Sequence, residues 1–181
     1  MKTEISLLAG GCFWCVQSAF MSVPGVIKTV AGYTGGTGAH PTYQEVVTEK
    51  TGHQEAVEVT YDPDKIAYTQ ILDIFWRSID PTDDGGQFAD RGSQYHTAIF
   101  YLNDVQKAVA EESKKSMENL LGKSIATKIV KASPFFPAEE YHQNYKEKNP
   151  VRYRFYRWNC GRDQRLQEVW GSVKSLHEEK K

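Results

Sequence analysis

Two cysteines three residues apart, in Gly10-Gly11-Cys12-Phe13-Trp14-Cys15, are the residues whose type and spacing speak most directly of chemistry. The thiolate is the nucleophilic form of cysteine, and a C-x-x-C pair can close a disulfide. The pair falls where a short apolar run, Ile5 to Ala9, gives way to apolar residues at Phe13, Val16, Ala19 and Phe20, a helical spacing. Cys12 is therefore expected at or near a helix N-terminus, where free N–H groups and the macrodipole favour a thiolate. Gly10 and Gly11 would let the backbone turn sharply and leave the sulfur uncrowded. Two other fates compete with redox chemistry. The cysteines could be buried packing residues, or they could hold zinc. A zinc site needs a fourth ligand and preferably a second close pair, and the spacing of Cys160 and the five histidines supplies none.

The elements that must position this pair follow from periodicity. Ile5–Ala9 reads as a buried strand, Cys12–Met21 as a helix ended by Pro24-Gly25, and Val26–Tyr33 as a second strand before the glycine-rich loop 32–38. Residues 55–61 alternate, with Ala56, Glu58 and Thr60 opposite Val57, Val59 and Tyr61, the pattern of a half-buried strand ending at Asp62-Pro63-Asp64. Ile71, Leu72, Ile74, Phe75 and Ile79 form a helical face, and residues 81–92 a polar loop. Tyr95–Leu102 reads as a strand, with Asp104 as cap of a long amphipathic helix to Leu121. The order strand, helix, strand, strand, helix, strand is that of a split βαβ, ferredoxin-like two-layer plait in the α+β class, with extra helices. Beyond Pro134 an irregular, aromatic-rich C-terminal segment is expected. It should close with a helix near 164–176 and fraying residues 178–181.

Composition narrows the function classes. The 181 residues suit one domain, 1–181, and 22 Lys+Arg against 23 Asp+Glu give a net charge of −1. A broad basic surface for nucleic acid is thus not expected. The run Lys146, Lys148, Arg152, Arg154 and Arg157, interleaved with Tyr153, Phe155 and Tyr156, reads as a solvated face. No signal peptide is evident at the N-terminus, and no stretch reaches the roughly 18 apolar residues that span a bilayer. A cytoplasmic monomer without membrane contact is expected. Three cysteines are too few for a disulfide scaffold. Gly36-Thr37-Gly38 lacks the third glycine of a dinucleotide fingerprint, and Gly122-Lys123-Ser124 has Met117 where a P-loop needs glycine.

Four segments together carry a resemblance: GCFWC, GYTGGTGAHPTYQEV at 32–46, TGHQEAVEVTYDP at 51–63 and DPTDDGGQFADRGSQYHTAIFY at 80–101. In this order they resemble the A-type peptide methionine sulfoxide reductases, over roughly residues 5–160. The resemblance implies reduction of methionine S-sulfoxide, free or in proteins, with no cofactor or metal and with thioredoxin as reductant. It implies Cys12 as nucleophile, Glu55 as the acid that protonates the departing oxygen, and Tyr43, Tyr95 and Asp90 as groups that bind the oxygen or order the pocket. Phe13 and Trp14 become the wall that receives the substrate methyl. Many members have Gly where Cys15 stands; here Cys15 is expected to resolve a Cys12 sulfenic acid first, with Cys160, acting directly or as a relay from Cys15, and an external thiol as the alternatives. A thioredoxin-like disulfide oxidoreductase is the competing enzyme class, because C-F-W-C also suits that chemistry. A small zinc-dependent interaction module is the non-enzymatic alternative.

Overall fold

The computed structural model describes residues 2–171. Strand β1 (Glu4–Gly10) leads through a tight turn into α1 (Phe13–Phe20), and β2 (Val26–Thr34) follows. After a one-turn helix α2 (Tyr43–Val46) come β3 (Gln54–Tyr61) and α3 (Tyr68–Arg77). A small hairpin, β4 (Gly86–Gln87) with β5 (Asp90–Arg91), precedes β6 (Thr97–Tyr101), α4 (Asp104–Leu121) and β7 (Lys128–Lys131). The C-terminal part comprises β8 (Phe136–Pro137), α5 (Tyr145–Lys148), α6 (Pro150–Asn159) and α7 (Arg162–Trp170).

The main sheet runs β7-β6-β1-β3-β2-β8, antiparallel throughout except for the parallel β6–β7 edge. Its four central strands, β6-β1-β3-β2, with α1 and α3 as crossovers, are the split βαβ plait expected from the element order. Period-2 alternation decides what each strand presents. Leu8, Val57, Val59, Tyr61, Ala31 and Tyr33 join the principal core with Val16, Phe20, Ile71, Leu72, Phe75 and Trp76 from the helices. Leu7, Ala9, Ala56, Ala98 and Phe100 form a smaller cluster on the other face. Glu55 shares the parity of Val57 and Val59, so the sheet directs it towards α1. The register Leu8↔Val57, carried on two residues, sets the β1–α1 turn beside it.

Three sequence expectations are corrected. The segment beyond Pro134 is not irregular, for residues 150–159 are helical. Pro150 at its first turn is the start signal, while exposure of most of its surface hides any apolar period. The strand after the polar loop begins at Thr97, because Ser93–Tyr95 forms a 3₁₀ turn. Asn103, rather than Asp104, caps α4, its side chain accepting from the Gln106 amide at 2.9 Å. The last helix is seen over Arg162–Trp170, and residues 172–181 of the expected helix and tail lie outside the described residues.

The C-terminal segment is bound to the plait by polar contacts. The Gln143 side chain accepts from Ala31 N at 2.9 Å and donates to Ala31 O at 2.8 Å, capping the β2 edge beside β8. Trp170 Nε1 donates to Ile79 O at 2.9 Å. The buried Arg162 guanidinium donates to Ser78 O at 2.5 Å and Gly10 O at 3.2 Å, tying the end of α3 to the end of β1.

Gly11 makes the turn possible. Its φ of +78° lies in the left-handed region, and a Cβ there would stand 2.6 Å from Gln87 Cβ. Gly11→Ala is therefore expected to cost about 1–3 kcal/mol of stability through strain and overpacking. Denaturant unfolding of the two proteins measures this, and equal midpoints would show that the turn can rearrange at no cost.

Candidate active site

Helix α1 begins at Phe13, with Cys12 in the N-cap position. The Cys12 carbonyl accepts from Cys15 N and Val16 N, which sets the first turn. The free amide of Phe13 donates to Glu55 Oε2 at 2.9 Å. The exposed end of the helix dipole is thus spent on a carboxyl group, not on the Cys12 sulfur.

Burial governs the protonation states. Glu55 is 2% exposed, and loss of water pushes its pKa up to about 8. The Phe13 N–H opposes this rise, while Asp90 and Cys15 add to it. Cys12, 6% exposed, is also pushed up, first by burial and then by Cys15 and Glu55, with the Tyr156 hydroxyl pulling the other way. The sequence expectation of a helix-stabilised thiolate on Cys12 is thereby corrected, because its surroundings exclude water and the nearby N–H serves Glu55. Cys15 goes down to about 6, first through the Cys12 thiol, against burial, and then through the Arg162 and Arg157 cations. The two thiols share a proton and titrate as a pair, which gives up its first proton readily and holds its second.

The other residues implied by the resemblance gather round this centre. Tyr43 and Tyr95 are half-buried, interact through their hydroxyls and feel the Glu55 charge. Tyr43 is pushed up to about 12 by burial, then by Glu55 and Cys12, and Tyr95 is pushed up by burial and Glu55, so both are hydroxyl donors at neutral pH. Burial raises Asp90, which accepts a short hydrogen bond from the Tyr156 hydroxyl. Phe13 is buried against Tyr33 and His142. Trp14 is half-buried and clamped. Its ring stacks on Tyr145 at 3.7 Å, and its Nε1 donates to His142 Nδ1 at 3.1 Å. Cys160 caps the end of α6, buried, with Sγ 3.2 Å from Arg157 O. Burial pushes its pKa up, the Arg162 amide and cation oppose this, and Cys15 and Asp90 add to it.

Sequence reasoning missed four participants. Tyr156 links Cys12 to Asp90, Arg162 places a cation beside Cys15, His142 and Tyr145 fix Trp14. For Tyr156 a signal existed: Tyr153, Tyr156 and Cys160 stand at i, i+3 and i+7, the inner face of α6. Nothing in the sequence singled out Arg162 or His142.

A thiol pair beside a buried, proton-holding carboxyl on an α+β plait is the constellation of a thiol-dependent reductase. The family model described as peptide methionine sulfoxide reductase matches residues 4–174. Peptide methionine sulfoxide reductase MsrA of Bacillus licheniformis is 52% identical over 172 residues, which is 94% of this chain and 95% of the relative. Among solved structures, reduced Mxr1 from Saccharomyces cerevisiae superposes with a TM-score of 0.79 at 30% identity, covering 83% of this chain and 87% of that one. Mxr1 in complex with Trx2 shares the fold at a TM-score of 0.58 and 23% identity, over 80% and 85% of the two chains. The chain belongs to the A-type peptide methionine sulfoxide reductases and is a methionine sulfoxide reductase. The thioredoxin-like and zinc-module alternatives give way to this assignment.

The shared proton yields a prediction. In the reduced protein, thiolate absorbance should rise with one midpoint near pH 6, from the pair. Cys12→Ala removes the hydrogen bond that lowers Cys15 most, so the midpoint should move upward. A midpoint unmoved in that variant would mean that the cations alone set the Cys15 ionisation.

Proposed function

We propose that the enzyme reduces methionine S-sulfoxide, free or in proteins, through attack by Cys12 on the sulfoxide sulfur while Glu55 protonates the oxygen. The observation that carries this reading is the Glu55 carboxyl, water-excluded and held against the Phe13 amide next to Cys12. A sulfoxide oxygen departs from sulfur only if it receives a proton, so the reaction needs an acid that keeps its proton at neutral pH. A carboxyl with a pKa of about 8 does so. The negative charge of the Cys12–Cys15 pair is available at Cys12 when substrate is in place. The Cys12 thiolate, the sulfoxide and the Glu55 proton give methionine and a Cys12 sulfenic acid, leaving Glu55 as carboxylate. Tyr43 and Tyr95 donate hydrogen bonds to the oxygen, Asp90 orders the pocket through Tyr156, and Phe13 and Trp14 receive the methyl. An apolar wall on one side and oxygen donors on the other select one hand of the stereogenic sulfur.

Cys15 then attacks the sulfenic acid, forming the Cys12–Cys15 disulfide and releasing water. Adjacency on one helical turn and an easily ionised thiol support Cys15 as resolver. Cys160, whose charged neighbours are Cys15, Arg162 and Asp90 and do not include Cys12, suits a relay from Cys15 better than direct attack on Cys12. A thioredoxin dithiol reopens the disulfide. The fold shared with Mxr1, whose structure with Trx2 is known, accords with this. The protein acts in the cytoplasm on this reading.

Variants, pH and stereochemistry test the assignment. Cys12→Ser should abolish methionine release, whereas Cys15→Ser should release one methionine per chain and then stall. Glu55→Gln should slow single-turnover release by roughly 10²–10⁴-fold, as expected for a lost general acid. Because the thiol pair must be ionised and Glu55 protonated, release by the wild type should rise through about pH 6, hold to about pH 8 and fall above it. That alkaline fall should be missing in Glu55→Gln, and a near-normal rate for this variant at neutral pH would remove Glu55 from the mechanism. Resolved sulfoxide epimers, assayed separately, should show turnover of the S form only.

A further inference from the structure

Beside Cys15 lies a cavity of about 760 Å³ that the sulfoxide chemistry above does not use. Its wall includes Cys15, Tyr153, Arg154, Arg157, Trp158 and Arg162, but not Tyr43, Glu55 or Tyr95. Cys15 itself is 1% exposed, so a reductant that opens its disulfide must approach along a wall that already leads to it. The outer face of α6 borders this cavity. Val151, Phe155 and Trp158 recur at i, i+4 and i+7 and are 77%, 66% and 75% exposed, with the last two rings 6.2 Å apart. A contiguous exposed apolar stripe centred on aromatics, set among charges, is the composition of a protein-binding surface.

The surrounding charge identifies the partner. Between residues 145 and 159 stand Lys146, Lys148, Arg152, Arg154 and Arg157 against Glu147, five positive less one negative, a local charge of +4 in a chain of net −1. Asp163 holds Arg157 at 2.6 Å and Glu140 holds Lys148 at 2.7 Å. Lys146, Arg152 and Arg154 make no ion pair among the described residues. A low-molecular-weight anionic thiol would match the cations but leave Val151, Phe155 and Trp158 unexplained.

We propose that the α6 stripe and the cavity beside it are the docking surface for an acidic dithiol protein with an apolar rim round its reactive thiol, a thioredoxin, which reaches Cys15 by a face distinct from the one where sulfoxide meets Cys12. The inference rests on the Cys12–Cys15 disulfide of the reading above. The incoming thiolate, drawn by Arg157 and Arg162, attacks Cys15 Sγ. The Cys12–Cys15 bond breaks, and Cys12 leaves as a thiolate that accepts from the Tyr156 hydroxyl and takes up a proton. The second reductant thiol loses its proton and attacks the mixed disulfide, releasing the Cys15 thiolate between the two arginines. The reductant dithiol becomes a disulfide, and its two electrons and two protons pass to Cys12 and Cys15. Attraction between the basic helix and an acidic partner speeds the encounter and weakens with salt.

The test uses the full chain with Phe155→Ala, Trp158→Ala and Arg154→Glu, all at exposed positions outside the sulfoxide site. The KM for thioredoxin should rise by about tenfold or more in at least the Trp158 and Arg154 variants, the scale of a lost interface anchor. Single-turnover methionine release and cycling on dithiothreitol should stay at wild-type level. Added salt should raise the wild-type KM for thioredoxin and change that of Arg154→Glu much less. An unchanged KM in all three variants overturns the proposal, and so does a parallel loss of dithiothreitol-supported cycling. A wild-type dimer that Trp158→Ala converts to monomer would make the stripe a self-contact and overturn it too. Peptide mapping after one turnover keeps the two readings apart: absence of the Cys12–Cys15 disulfide removes the recycling scheme and this proposal with it, before any variant is made.

Discussion

The hydrogen bond from the Phe13 amide to Glu55 joins the first turn of α1 to the start of β3, and the chemistry of the site depends on it. It does two things that pull against each other. It satisfies a helix-terminal N–H and a buried carboxyl in one contact, and it favours the ionised acid. Burial is the larger effect, so the carboxyl keeps its proton near neutrality while its position is fixed. An acid held this way can deliver a proton to a departing oxygen without first shedding a water shell.

The same exclusion of water shapes the thiol pair. At a hydrated helix terminus Cys12 would ionise easily, yet here its sulfur faces Glu55, Cys15 and Tyr156 and its pKa rises. Cys15, one turn along the helix, is lowered first by the Cys12 thiol and then by the Arg162 and Arg157 cations. Arg162 is itself buried, at 1% exposure, and its guanidinium is anchored on the carbonyls of Gly10 and Ser78. Its place is set by the ends of β1 and α3, so the framework that holds the plait together also contributes to the ionisation of Cys15.

The C-terminal segment completes the site. Gln143 fastens it to the β2 edge, and Glu139 accepts from the Tyr33 hydroxyl at 2.9 Å and the Tyr43 amide at 3.1 Å. His142 is then held among Phe13, Trp14 and Tyr43. Burial lowers its pKa, so a neutral ring accepts from the Trp14 indole through Nδ1. Tyr145 covers the Trp14 face, and Tyr156 approaches its edge. A side chain that α1 would leave half free is thereby locked in one orientation.

Much of this was legible in the sequence. Period-2 alternation in 55–61 and the helical spacings of 13–20 and 71–79, taken in the order strand, helix, strand, strand, helix, strand, indicate a plait, and the principal core joins those faces. The C-x-x-C spacing determines that two thiols share a helical turn, and the four family segments mark Glu55, Tyr43, Tyr95 and Asp90. Only the tertiary structure decided the protonation states, the helical character of 150–159 and the parts played by Tyr156, Arg162 and His142. Each depends on groups far apart in the chain: Phe13 and Glu55 are 42 residues apart, Trp14 and His142 are 128, and Gly10 and Arg162 are 152. Local sequence sets backbone propensity and face. A proton's affinity depends on how much water remains round a group and which charges face it, and both exist only once the distant segments have packed.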